Sequence, residues 1–168
     1  AKSIVFGIIG TAGQRCTTLR RLIVHTDVYV ELVNKLITYL NKIQIDNPML
    51  PHTHMGPIID QNAVDTFTTT ILSAQKTGGK IIYGGNTLPQ IGKLYVQPTL
   101  IEVQKDHDLL KEERFVPITY IVPYSGTVDN AIMLQNNVPQ GLSSSIYTQS
   151  MVEAELFLSA KGSDCGMA

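Results

Sequence analysis

The sequence predicts a single α/β domain in three layers, with helices covering both faces of a mainly parallel sheet. Segments with a helical apolar period alternate at least four times with short β-branched segments, the pattern of strands joined by crossover helices. The run Ile118-Thr119-Tyr120-Ile121-Val122 is nearly continuous in apolar side chains, which suits a strand buried on both faces. The length, 168 residues, fits one domain, and no linker, charge run, repeat or low-complexity tract divides residues 1–168.

The elements follow in order. Residues 3–12 predict a helix, and Arg21-Leu22-Ile23-Val24-His25 a short strand. Residues 27–43 place Val30, Val33, Leu36 or Ile37, Leu40 and Ile43 on one helical face, with Thr26 or Asp27 as N-cap. Residues 61–77 repeat the pattern with Val64, Phe67, Ile71 and Ala74, and Gly78-Gly79 ends that helix. Residues 80–83 form a strand closed by Gly84-Gly85. Tyr95-Val96-Gln97 and residues 99–103 are strand pieces broken by Pro98. A short helix fits 106–113, and another fits 128–136, behind Thr127 and stopped before Pro139. Residues 143–147 read as a strand. Ser150 and Glu153 form a capping box that opens a helix to Lys161, closed by Gly162. Residues 164–168 look like the start of one more strand.

Thirteen basic residues against fourteen acidic ones give a net charge of -1, which argues against a nucleic-acid partner. No apolar run is long enough to cross a bilayer. Charged residues make up 16%, against a usual value of about 25%, so part of the surface is expected to be covered by partner domains or subunits. Two isolated cysteines, Cys16 and Cys165, with no secretory signal fit a reducing, cytoplasmic setting. The chain begins at Ala1-Lys2-Ser3, as a processed or truncated piece would.

Chemistry concentrates at Gly13-Gln14-Arg15-Cys16-Thr17-Thr18, a cysteine in a loop between a helix and a strand. Arg15, Arg20 and Arg21 nearby favour a thiolate, the attacking form of cysteine. By composition alone, the buried-hydrophobe reading of Cys16 is the favoured one, since free cysteine is among the most buried residue types. His52 and His54 have a metal-site spacing, but no further ligand accompanies them, so no metal is expected. His25 and His107 read as strand-end and surface residues.

The stretch Gly10-Thr11-Ala12-Gly13-Gln14-Arg15-Cys16-Thr17-Thr18-Leu19-Arg20-Arg21-Leu22 closely resembles the nucleophile segment of the aldehyde dehydrogenase superfamily. It looks most like the antiquitin, or α-aminoadipic semialdehyde dehydrogenase, branch. The resemblance runs through the whole chain: Asn47-Pro48, Met55-Gly56-Pro57-Ile58-Ile59, Glu113-Arg114-Phe115-Val116-Pro117, Gln140-Gly141-Leu142-Ser143-Ser144-Ser145 and Lys161-Gly162-Ser163-Asp164-Cys165-Gly166 all match family segments. It implies the Rossmann-like catalytic domain of that family.

The same resemblance implies a mechanism. Cys16 attacks an aldehyde to give a thiohemiacetal, hydride leaves to NAD(P), and water releases the acid from the thioester. The Cys16 N–H helps to hold the oxyanion. Glu113 bonds the nicotinamide ribose, whose diol a carboxylate can accept from, and Phe115 packs beside the nicotinamide. The family's usual Gly or Ala is Val116 here. Arg15 is implied as a clamp for a distal carboxylate on the substrate, since a planar guanidinium binds one through two hydrogen bonds. Gln14 supports the loop, Ser163 contacts the substrate side, and Cys165 is a buried thiol. The family implies a dimer or tetramer.

Several family parts are expected outside residues 1–168: the main cofactor domain, the general-base glutamate, the oxyanion-hole asparagine and the oligomerisation strand. The chain alone is therefore expected to be inactive. Two other readings stay open: a non-catalytic remnant or split-gene subunit serving as a binding or scaffold chain, and a cysteine thiol esterase.

Overall fold

The structure, a computed structural model, describes residues 1–168. Four strands make its sheet: β1 Arg21–His25, β2 Lys80–Tyr83, β3 Thr99–Glu102 and β4 Ile118–Tyr124. Their spatial order is β1-β4-β3-β2; β1, β4 and β3 run parallel, and β2 joins antiparallel at one edge. The class is thus the expected α/β fold with a mostly parallel sheet. Strand β4 has a neighbour on each side, and its Ile118, Thr119, Tyr120, Ile121 and Val122 are all buried. A strand covered on both faces has no polar side to show, which is why its sequence does not alternate.

Five helices pack around the sheet: α1 Lys2–Ile9, α2 Thr26–Leu40, α3 Gln61–Lys76, α4 Val128–Asn136 and α5 Met151–Leu158. Helix α3 follows its sequence closely. Val64, Phe67, Ile71 and Ala74 are buried, the Asp60 side chain accepts from the Ala63 N–H at 2.9 Å, and Gly78 leaves the helix in the left-handed region. In α2 the buried stripe is Val33, Leu36 and Leu40, while Val30 is exposed. The cap of α2 is neither Thr26 nor Asp27 but His25, whose Nδ1 accepts from the Asp27 N–H at 3.2 Å. At the other end of β1's neighbourhood, the Arg21 guanidinium donates to Leu134 O at 3.0 Å and Gln135 O at 3.1 Å, satisfying carbonyls in the last turn of α4.

Four expectations are corrected. The first helix stops at Ile9 and passes into a 3-10 turn, Gly10–Gly13, in which Thr11 and Ala12 take φ of 52° and 51°. Residues 106–113 hold only a 3-10 turn, Asp108–Lys111, which His107 caps. Helix α5 ends at Leu158; Ser150 Oγ accepts from the Glu153 N–H, but the Glu153 carboxylate goes to the Thr148 hydroxyl, so only half of the capping box forms. Residues 143–147 and the tail are not sheet strands. They meet each other outside the sheet, with Ser144 N donating to Met167 O, Met167 N to Leu142 O and Gly166 N to Gly141 O. Leu142, Tyr147 and Met167 of this ribbon stay exposed away from the core.

The charge-poor composition appears as exposed apolar side chains. Phe6 on α1, Val28 and Val30 on α2, and Met151, Val152 and Leu158 on α5 all face solvent.

One glycine governs how the site assembles. Gly13 has φ of 75°, and a Cβ there would lie 2.5 Å from both Cα and N of Pro117. Gly78 has φ of 90° with nothing within 4 Å of such a Cβ. Gly78→Ala is expected to cost about 1 kcal/mol from backbone strain alone, and Gly13→Ala about 2–4 kcal/mol because a backbone clash is added. Urea denaturation reads both; equal losses would remove the close-approach argument.

Candidate functional site

The site forms at the N-terminal ends of β1 and β4. Arg21 is paired with Tyr120, and the Tyr120 N–H donates to Arg20 O at 2.8 Å. Because the strands are parallel and in this register, the loops that precede them, residues 10–20 and 112–117, leave the sheet side by side. Gly13 lets their backbones touch at Val116 and Pro117. The Val116 side chain is buried and takes no part in the contact surface.

In the first loop, Arg15, Cys16, Thr17 and Thr18 form a β-turn. Thr18 N donates to Arg15 O at 3.1 Å, and Arg15 N donates to Thr18 Oγ1 at 3.1 Å. Cys16 occupies the exposed tip. The N–H groups of Cys16 and Thr17 donate to nothing in the protein, so two free donors flank the thiol in sequence. Exposure overturns the buried-hydrophobe reading of Cys16. The turn is tied down on three sides. Gln14 Oε1 accepts from Ile59 N at 2.8 Å, Leu19 N donates to Gly7 O at 3.0 Å, and buried Thr119 donates its hydroxyl to Leu19 O at 2.6 Å.

The second loop is extended, so alternate side chains point opposite ways. Arg114 turns towards α3, where it donates to the buried Thr70 hydroxyl at 2.5 Å and pairs with Glu112. Glu113 and Phe115 turn the other way and both meet Arg20. Arg20 Nη2 lies 3.2 Å from Glu113 Oε1, and the guanidinium sits 4.8 Å from the Phe115 ring centroid. The Arg20 side chain is 15% exposed, and burial pulls its pKa below the usual guanidinium value; Glu113, and after it Cys16, act in the opposite direction. Arg20 was grouped with Arg21 from sequence, but the structure separates them: Arg20 serves the site, and Arg21 serves α4.

Cys16, Arg20, Glu113, Ser144 and Cys165 all stand in the wall of one cleft of about 910 Å³. Cys165 is half-buried rather than buried, and its Sγ accepts from Gln135 Nε2 at 3.2 Å. Ser163 lies behind that wall; its Oγ is 2.7 Å from Ser144 Oγ and accepts from Cys165 N. Phe115, 47% exposed, flanks the cleft through Arg20. Arg15 lies outside that wall, folded back over the 3-10 turn, with Nε donating to Thr11 Oγ1 at 2.6 Å and both Nη atoms free of protein hydrogen bonds. His54 Nδ1 is taken by the Gln44 N–H, and no group of three or more His, Cys, Asp or Glu side chains is placed to hold a metal. Sequence reasoning missed Arg20 as the meeting point of the two loops, since only the fold brings Glu113 and Phe115 to it.

Comparison with known proteins agrees with this fold. A family model described as "Aldehyde dehydrogenase family" matches residues 1–168. Aldehyde dehydrogenase family 7 member A1 of Pisum sativum is 41% identical over 166 residues, covering 99% of this chain and 32% of that protein. α-Aminoadipic semialdehyde dehydrogenase of Bos taurus is 40% identical over 167 residues, covering 98% of this chain and 30% of that protein. The chain therefore spans about a third of the length of these relatives. The crystal structure of PnpE from Pseudomonas sp. WBC-3 matches with a TM-score of 0.92 at 29% identity, over 99% of this chain and 34% of that one; PnpE has also been solved in complex with nicotinamide adenine dinucleotide. With the family model spanning every residue, the chain belongs to the aldehyde dehydrogenase family.

Proposed function

We propose that this chain supplies the nucleophile half of an NAD-dependent aldehyde dehydrogenase that oxidises a carboxylate-bearing semialdehyde to the acid. The observation that carries the reading is the exposed Cys16 thiol on the cleft wall, beside two unpaired backbone N–H groups and one guanidinium away from Glu113. In the proposed reaction the Cys16 thiolate bonds to the aldehyde carbon, and the carbonyl electrons move onto oxygen. The free Cys16 N–H faces the developing charge, where a fixed dipole stabilises the transition state more than the substrate. Loss of hydride from the same carbon leaves a thioester, and water then releases the acid and frees Cys16.

The residues present fit one end of the dinucleotide. Glu113 has one carboxylate oxygen against Arg20, and its Oε2 makes no protein hydrogen bond, which leaves an acceptor for a ribose hydroxyl. Phe115 offers a half-exposed ring as an apolar wall. NAD, when bound, supplies the hydride acceptor. We place the main dinucleotide-binding domain, the base that activates water and the oligomerisation strand outside residues 1–168, within the two-thirds of the relatives' length that this chain does not match. In that assembly, a dimer or tetramer, the exposed apolar sides of α1, α2 and α5 are covered. Arg15 has both Nη atoms unpaired, the chemistry of a bidentate grip on a distal carboxylate, and takes that role by swinging from Thr11 towards Cys16. Ser163 acts on the substrate side only through Ser144.

Three outcomes test the reading. In the full-length protein that contains this chain, Cys16→Ser is expected to lower kcat by about 10³-fold or more while near-UV circular dichroism stays unchanged; undiminished turnover would refute the nucleophile. Arg15→Ala is expected to raise KM for carboxylate-bearing semialdehydes by about tenfold and to leave simple aldehydes within about twofold; equal losses on both would rule out the clamp. The purified 168-residue chain is expected to form no NADH from any aldehyde, and measurable NADH formation by it would overturn the placement of the cofactor domain and base elsewhere.

A further inference from the structure

Arg20 lies between the two loops of the proposed site and touches both. Its Nη1 and Nη2 both donate to Arg15 O at 3.1 Å, and Nη1 also donates to Thr18 O at 3.1 Å. Those two carbonyls bracket Cys16 and Thr17. On its other side Arg20 pairs with Glu113 and lies over Phe115. No other hydrogen bond or ion pair joins residues 15–18 to residues 113–116. The guanidinium is thus the one polar link between the nucleophile turn and the carboxylate loop.

We infer that Arg20 is a positioning residue that holds Cys16 and Glu113 as one rigid unit, acting on Cys16 through two backbone carbonyls and on Glu113 through charge. The inference rests on the roles proposed above for Cys16 and Glu113. The two actions need different chemistry. Holding both carbonyls through Nη1 while Nη2 reaches Glu113 takes the planar fork of a guanidinium, whereas pairing with Glu113 alone takes only a positive charge. The link is held at some cost, because Arg20 Nε is buried and finds no acceptor. A lysine would keep the charge and lose the fork. A glutamine would lose both.

The test compares Arg20→Lys and Arg20→Gln in the full-length protein that contains this chain. Arg20→Lys is expected to keep KM for NAD within about threefold of the parent while kcat falls about tenfold; Arg20→Gln is expected to lower kcat similarly and also to raise KM for NAD about tenfold. Either variant matching the parent in both constants would overturn the inference, and so would an equal rise in NAD KM for lysine and glutamine. Backbone amide resonances decide the matter independently of turnover. Arg20→Gln should shift those of Thr18 and Phe115 together and leave Phe67 and Ile71 of α3 in place; a shift confined to one loop would also overturn it. A parent protein that turns over no aldehyde would sink the functional reading, and the amide shifts would still show whether Arg20 couples the loops.

Discussion

Strands β1 and β4 begin side by side because they are parallel and Arg21 is paired with Tyr120. Everything at the site depends on that register. A slip of one residue would turn Arg20 and Arg21 to opposite faces and separate the loops that precede the two strands. The register is fixed by burial. Ile118, Ile121 and Val122 in β4 and Leu22 and Val24 in β1 are all in the core, and each contributes about 1.5–3 kcal/mol on burial. Thr119 adds a buried hydroxyl that has one acceptor, Leu19 O, directly beneath the nucleophile turn. Packing of the sheet and placement of the thiol are therefore the same constraint seen from two sides.

The two loops meet because each gives up something. Gly13 has no side chain where it crosses Pro117, and the backbone at Thr11 and Ala12 takes left-handed values that cost about 1–2 kcal/mol per residue. The tip of the turn leaves two N–H groups unsatisfied within the protein. Strain and unmet donors of this kind persist where surrounding structure enforces them, and here Gln14, Leu19 and Arg20 do so. A pair between an exposed carboxylate and a guanidinium adds little to stability by itself. Its value at Glu113 and Arg20 is geometric: it sets where the carboxylate stands relative to the thiol.

How much of this was legible in the sequence follows from where the information resides. The apolar period of α3 and the unbroken run of β4 are local patterns imposed by burial, and both were read correctly, face and all. Residues 143–147 were read as a strand from local composition, but pairing is decided by the partner, and their partner is the tail around Met167 rather than the sheet. Val30 fell on the expected stripe of α2, yet nothing within residues 1–168 covers it. Cys16 was singled out by its position between elements and by family resemblance, while composition alone favoured a buried thiol, which its exposure contradicts. Glu113 and Phe115 could be named from resemblance, but their meeting with Cys16 through Arg20 is a tertiary fact that no local pattern carries.

Both cysteines stand in the wall of the same cleft, and the account makes only one of them the nucleophile. The most direct measurement is acylation mapping. The protein is incubated briefly with an activated ester such as p-nitrophenyl acetate without NAD, digested, and the acyl group located by mass spectrometry. The account predicts an acetyl group on the peptide that carries Cys16 and none on the peptide that carries Cys165. Acylation of Cys165 in preference to Cys16, or of neither, would contradict it.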